Sequence, residues 1–204
     1  MTRALFDVHV VVDWSSAGSP KTGKDSIWIA AYGADTAQVI NPATRHAAMD
    51  ALTTILDAAT AQGQRVFMGF DFAFGYPESF SKALGDHADW RDVWATIANE
   101  IEDADDNTNN RFDAAATLNQ MFDAEGPFWG NGLKRDIDGL PRKKPTGWGD
   151  TLPVNQRSAE ACVNNAQEVW KLAGAGSVGG QALTGIARLE RLRQSRNDLT
   201  IWPF

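Results

Sequence analysis

The chain holds one cysteine, Cys162, among 204 residues. A lone thiol makes no internal disulfide and no thiolate cluster for structural zinc, which fits a reducing compartment. Histidine is scarce too: His9, His46 and His87 lie too far apart for ligand spacing. No Ser-His-Asp or Cys-His arrangement can be read, so nucleophilic catalysis has no candidate. Long apolar runs are absent, which excludes a membrane span of about 18 residues or more. Residues 1–7 lack the apolar core of a secretion signal. These absences predict a soluble, cytoplasmic protein. Basic residues are outnumbered 19 to 26 by acidic ones, and the net charge of −7 argues against a nucleic-acid binder that uses its whole surface.

What is present supports a globular domain. Hydrophobic residues make up 43% of the chain, enough for a substantial core. The segment Val8-His9-Val10-Val11-Val12-Asp13 reads as a strand, Ser15 to Lys24 as a turn-rich loop, residues 26–32 as a second strand and residues 38–40 as a short third. Between Pro42 and Gln62, Ala48, Leu52, Ile55, Leu56 and Ala59 recur at helical spacing, and Gly63 follows. A fourth strand is predicted over 65–74, ending at Gly75-Tyr76-Pro77. The order β-β-β-α-β with near-continuous apolar strands predicts an α/β fold whose mixed sheet is covered on both faces.

Residues 78–156 differ in character. Helices are predicted over 79–87, 90–101 and 113–122, an acidic, Asn-rich break over 102–110, and a Gly- and Pro-dense loop over 126–153. The whole reads as a helical, loop-rich insertion within a single domain. Residues 158–172 are open between helix and strand plus helix, 181–194 form an amphipathic helix, and 199–202 a last strand.

Two aspartates carry the chemistry. Asp13 closes the first strand and Asp71 interrupts the fourth, and a carboxylate among Val, Phe and Met must be paired, protonated, hydrogen-bonded or bound to a cation. Adjacent parallel strands would bring both to the carboxyl edge of the sheet, where open α/β folds place ligands. Either aspartate alone could simply cap a turn.

Gly18-Ser19-Pro20-Lys21-Thr22-Gly23-Lys24 imitates a phosphate-binding loop, but Asp25 replaces the required Ser or Thr and a strand follows instead of a helix. Ser15, Ser16 and Lys24 nevertheless lie on the loop beside Asp13 and are candidate substrate contacts. Gly174-Ala175-Gly176-Ser177-Val178-Gly179 opens a helix and suggests an anion pocket with Gly176 and Ser177, although no acidic residue follows at dinucleotide-site spacing. Arg157 and Glu160, three apart, could pair on a helix surface, or bind an anion and supply a third carboxylate respectively. Lys134, Arg135, Arg142, Lys143 and Lys144 interleave with Phe128, Trp129 and Trp148, a pattern that reads first as a solvated loop whose aromatics pack on the body and second as one that holds phosphates and stacks bases.

The segments Val11-Val12-Asp13-Trp14-Ser15-Ser16, Gly69-Phe70-Asp71-Phe72-Ala73-Phe74-Gly75-Tyr76-Pro77 and Arg157-Ser158-Ala159-Glu160 resemble a bacterial family of uncharacterised predicted nucleases within the ribonuclease H-like superfamily. The resemblance implies a five-stranded sheet in the order 3-2-1-4-5 flanked by helices, with Asp13 and Asp71 on adjacent strands around Mg²⁺ or Mn²⁺. Asp50 and Asp57 project from the far side of the first helix, leaving Glu160 or Asp150 for a third carboxylate. The expected activity is metal-dependent hydrolysis of phosphodiesters, by a nuclease or a small-nucleotide phosphodiesterase. Asp13, Asp71 and Glu160 would be catalytic, and Lys24 and Arg157 would neutralise phosphate charge. Two alternatives remain. One is half of an actin-like or sugar-kinase-like phosphotransferase that needs a second domain. The other is a binding or scaffold protein with a degenerate site, including one serving cofactor assembly, whose Trp90, Trp94, Trp129 and Trp148 would meet a partner.

Overall fold

A computed structural model describes residues 5–33, 36–122 and 125–204. It divides into two compact units, Met1–Asp71 with Asp103–Asn109, and Phe72–Glu102 with Asn110–Phe204.

The first unit is a mixed sheet with one long helix. Strand β1 (Val8–Asp13) pairs antiparallel with β2 (Trp28–Gly33), which pairs antiparallel with β3 (Thr36–Ile40), while β4 (Val66–Phe70) lies parallel to β1. The order is β3-β2-β1-β4. Helix α1 (Arg45–Ala61) makes the crossover between β3 and β4. Thr44 starts it by accepting the Ala47 amide proton on Oγ1, and its predicted apolar stripe is buried. That stripe and the inward residues Val8, Val10, Val12, Ile29 and Ala31 form the core of the unit. Each fully buried aliphatic side chain there contributes about 1.5–3 kcal/mol.

Four expectations are corrected. Among the described residues the sheet has four strands, not five. Residues 199–202 form no strand; Phe204 instead stacks on Trp90 at 5.0 Å, and Trp202 stands 80% exposed. The sheet is also not covered on both faces. β1 alternates strictly between buried and exposed, and Val11, Tyr32 and Val39 are 62%, 72% and 67% exposed. Asp13 belongs to this open face by its position in the alternation. Finally, β4 ends at Phe70, earlier than the apolar run suggests. The Asp71 amide still donates to Val12 O at 3.3 Å, and the chain then leaves the sheet.

The second unit is helical. Helices α2 (Ser79–Leu84), α3 (Trp90–Glu100), α4 (Arg111–Asn119) and α6 (Gly179–Ser195) match the predicted segments to within a few residues, whereas of residues 158–172 only α5 (Ser158–Ala161) is helical. A capping box between Asp89 and Asp92 starts α3, and Arg191 on α6 closes it by donating to Ala98 O at 2.9 Å and Ile101 O at 2.7 Å. Gly185, inside α6, lies against the ring of Phe72; a Cβ there would come within 2.5 Å of Phe72 Cε1. A ring seated on bare helix backbone explains a residue that otherwise weakens a helix by about 1 kcal/mol.

The Gly- and Pro-rich loop is ordered by side chains that bond backbone. Asn119 accepts the Phe128 amide proton at 2.8 Å and donates to Phe128 O and Gly139 O, while Asn131 donates to Arg135 O. Beneath them Tyr76, Phe80, Phe128 and Trp170 pack ring to ring, with centroids 4.9–6.0 Å apart.

Candidate functional site

The parallel register of β1 and β4 sets the site. Val12 lies opposite Phe70, so Asp13 and Asp71, the next residues on each, leave the same sheet edge together. Their carboxylates come within hydrogen-bonding reach of each other. The Trp14 amide donates to Asp71 Oδ1 at 2.9 Å and fixes that oxygen, while the Trp14 ring is buried and lies 6.0 Å from the Phe70 ring.

Asp71 is held above the ordinary carboxylate range. Desolvation is the largest cause, and the charge of Asp13 and the contact with it add to the rise, whereas the Trp14 amide opposes it. Asp71 is an exposed residue in outline, so the desolvation is local to its carboxyl group, on the side that meets Asp13 and the Trp14 backbone. The two aspartates thus form a pair at the carboxyl edge of the sheet.

The loop after Asp13 has a support that sequence reasoning missed. Arg45, at the start of α1, is fully buried. Its Nε and Nη2 grip Asp103, with Nη2 at 2.5 Å from Oδ1; Nη1 donates to Ser15 O at 3.0 Å and Ala17 O at 2.8 Å, and Nη2 also donates to Asn107 O. Asn107, in left-handed backbone conformation with φ 71°, accepts the Arg45 amide proton on Oδ1 and donates to Ser19 O and Ala43 O. The acidic break is thus a closed turn, pinned by the Asp103–Asn109 bridge, that holds residues 15–19 in place. The only local signal for it was an asparagine in a turn-forming run.

Ser15 and Ser16 lie in that loop. Ser15 Oγ accepts the Ala17 amide proton at 3.3 Å. Lys24 is exposed and its ammonium has no partner among the described residues. Gly23, beside it, donates to Asn41 Oδ1 at 2.6 Å, which closes the loop against the end of β3.

In the second unit Arg157 and Glu160 pair with each other. Glu160, which is buried, accepts from Arg157 N at 2.6 Å and from Nε at 2.8 Å. This is the bland alternative of the two that the spacing allowed, with both carboxylate oxygens engaged. The nearby Tyr76 hydroxyl has no partner among the described residues; burial raises its pKa, and the Arg157 charge pulls it partway back. Gly176 and Ser177 sit in the turn before α6, where Ser177 N donates to Gly174 O and Gly179 N to Lys171 O. The chain's own carbonyls therefore take amides that an anion would have used.

The basic loop is largely consumed by internal pairing. Arg135 grips Asp113, and Arg142 binds Asp136 and four backbone carbonyls. Phe128 is in the core, and Trp90 and Trp94 pack on each other and on Phe204 and Phe74.

A metal can be held here only by a small ligand set. Asp13 and Asp71 offer hard oxygen donors side by side, of the type that suits Mg²⁺ or Mn²⁺. Among the described residues no group of three or more His, Cys, Asp or Glu side chains forms a metal cluster. The pair fits an ion that keeps most of its coordination as water or substrate oxygen, as Mg²⁺ commonly does. No helix among the described residues is long and apolar enough to cross a membrane. In comparisons with known proteins, the chain matches no family model, no curated protein and no solved structure.

Proposed function

We propose that the protein is a divalent-metal-dependent hydrolase of phosphate diesters, with Asp13 and Asp71 as its metal-binding pair. The observation that carries this reading is the meeting of two carboxylates at one sheet edge, where desolvation and the neighbouring Asp13 charge raise the pKa of Asp71. Such a pair is relieved when a dication binds between the two carboxylates. A bound Mg²⁺ or Mn²⁺ would polarise a phosphoryl oxygen and lower the pKa of an attacking water.

The chain's own residues supply the rest. Trp14 N–H holds Asp71 Oδ1, so the second Asp71 oxygen and Asp13 are the groups left for a ligand. Arg45 fixes the carbonyls of Ser15 and Ala17, which keeps the backbone after Asp13 rigid without lending its own charge to the site. Lys24 carries the unpaired positive charge on the same loop and is the candidate partner for a phosphate. Ser15 and Ser16 offer hydroxyls for ester oxygens.

The test joins binding to turnover. Mn²⁺ titration followed by electron paramagnetic resonance should show saturable binding, together with Mn²⁺-dependent cleavage of bis(p-nitrophenyl) phosphate. Asp13→Asn and Asp71→Asn should each abolish both. If either variant keeps both, the assignment fails.

A further inference from the structure

A different place in the chain gathers an indole, two ammonium groups and a buried carboxylate around one cavity. Trp129 and Lys171 are set side by side by backbone pairing: Trp129 N donates to Trp170 O at 3.2 Å, and Leu172 N donates to Trp129 O at 2.9 Å. Lys171 Nζ lies 5.6 Å from the indole centroid. Both residues line a cavity of about 300 Å³, together with Lys144, Gln156, Gln167 and Glu168.

Glu168 is buried and fully engaged, accepting from Trp129 Nε1 at 2.9 Å, Lys144 Nζ at 2.6 Å and Asn155 Nδ2 at 3.3 Å. This network locks the indole in one orientation and neutralises Lys144. Lys171 remains as the net positive charge of the wall, and Ala175 O takes only one of its three protons, at 2.6 Å. The side-chain amide of Gln156 has no partner among the described residues. Gln167 packs against Gly176, so the glycine turn before α6 closes one side.

We propose that this cavity binds a nucleoside monophosphate. The immobilised indole offers a stacking surface for a base, Lys171 a charge for a phosphate, and Gln156 a donor and acceptor for a base edge. The volume is at the lower end for ligand pockets, about 300–1,000 Å³, which suits a mononucleotide. The single excess charge selects one phosphate over a polyphosphate. The site stands independently of Asp13 and Asp71, and it gives a use to the aromatic and basic pattern that the loop's internal ion pairs otherwise absorb.

Isothermal titration of the full chain with AMP, adenosine and inorganic phosphate tests this. AMP should saturate, adenosine and phosphate should each bind at least about tenfold more weakly, and Lys171→Gln should weaken AMP binding about tenfold, the loss expected for one charge-assisted hydrogen bond. Asp71→Asn should leave AMP affinity unchanged, which separates this site from the proposed metal pair. The proposal is overturned if AMP does not saturate by about 10 mM. It is equally overturned if phosphate alone binds as well as AMP, or if Lys171→Gln binds AMP like the parent protein.

Discussion

Replacing Arg45 by leucine should be among the most damaging single changes available in the first unit. The guanidinium and the Asp103 carboxylate are both completely buried, with Nη2 2.5 Å from Oδ1. Removing the cation leaves the buried Asp103 carboxylate without the charge of Arg45, and breaking such a pair from one side costs about 3–5 kcal/mol. The carbonyls of Ser15, Ala17 and Asn107 also lose their donor. The Ser15 and Ala17 contacts are near the surface, so water recovers much of that loss, and the net expectation stays near 4 kcal/mol. Against a total stability of about 5–15 kcal/mol, this leaves a marginally folded protein. Urea denaturation followed by circular dichroism reads the change in midpoint. Asp103→Asn is the control: it keeps a hydrogen-bonding partner of the same shape and should cost less than Arg45→Leu. A loss under about 1 kcal/mol for Arg45→Leu would refute the argument, since it would mean that the pair is open to water.

Two further outcomes follow from particular contacts. Because the Asp71 pKa is raised in the folded state, the folded protein binds this proton more tightly than the unfolded chain; the stabilisation is complete below the ordinary carboxylate pKa of 3.8 and is lost as pH rises through the raised value. Asp71→Asn should therefore stabilise the metal-free protein at pH 7, by about 1 kcal/mol for a solvent-screened like-charge contact, and should lose that advantage near pH 3; thermal melts at the two pH values measure it, and a destabilised variant at pH 7 would contradict the carboxylate contact. Gly185→Ala should destabilise despite alanine's better helix propensity, since the new methyl group overlaps the Phe72 ring; overpacking of about 1–3 kcal/mol outweighs a propensity gain of about 1 kcal/mol, and a raised melting temperature would show that Phe72 yields without cost.

Much of the first unit was legible because its signals are local. The stripe Ala48, Leu52, Ile55, Leu56 and Ala59 could serve only a helix with one buried face, and the Val-rich β1 could hardly be anything but a strand. Consecutive valines, however, read the same whether one face is covered or two, so the exposure of Val11 could not be foreseen. The end of β4 was hidden for a similar reason: Phe72 and Phe74 continue the apolar run, yet Phe72 seats on Gly185, more than a hundred residues away. The Asp13–Asp71 pair was readable because parallel neighbours carry their strand-end residues to the same edge. Arg45 and Asp103 were not, since 58 positions separate them and nothing local marks either for burial. Residues 199–202 have strand-like composition but form no strand, and Phe204 just beyond them stacks on Trp90.

The most direct measurement is an anomalous difference map from crystals soaked in Mn²⁺. The account predicts one strong peak within coordination distance of both Asp13 and Asp71, about 2.1–2.3 Å from an oxygen of each. A map with no peak there at saturating Mn²⁺, or with the two carboxylates turned away from each other, would contradict it.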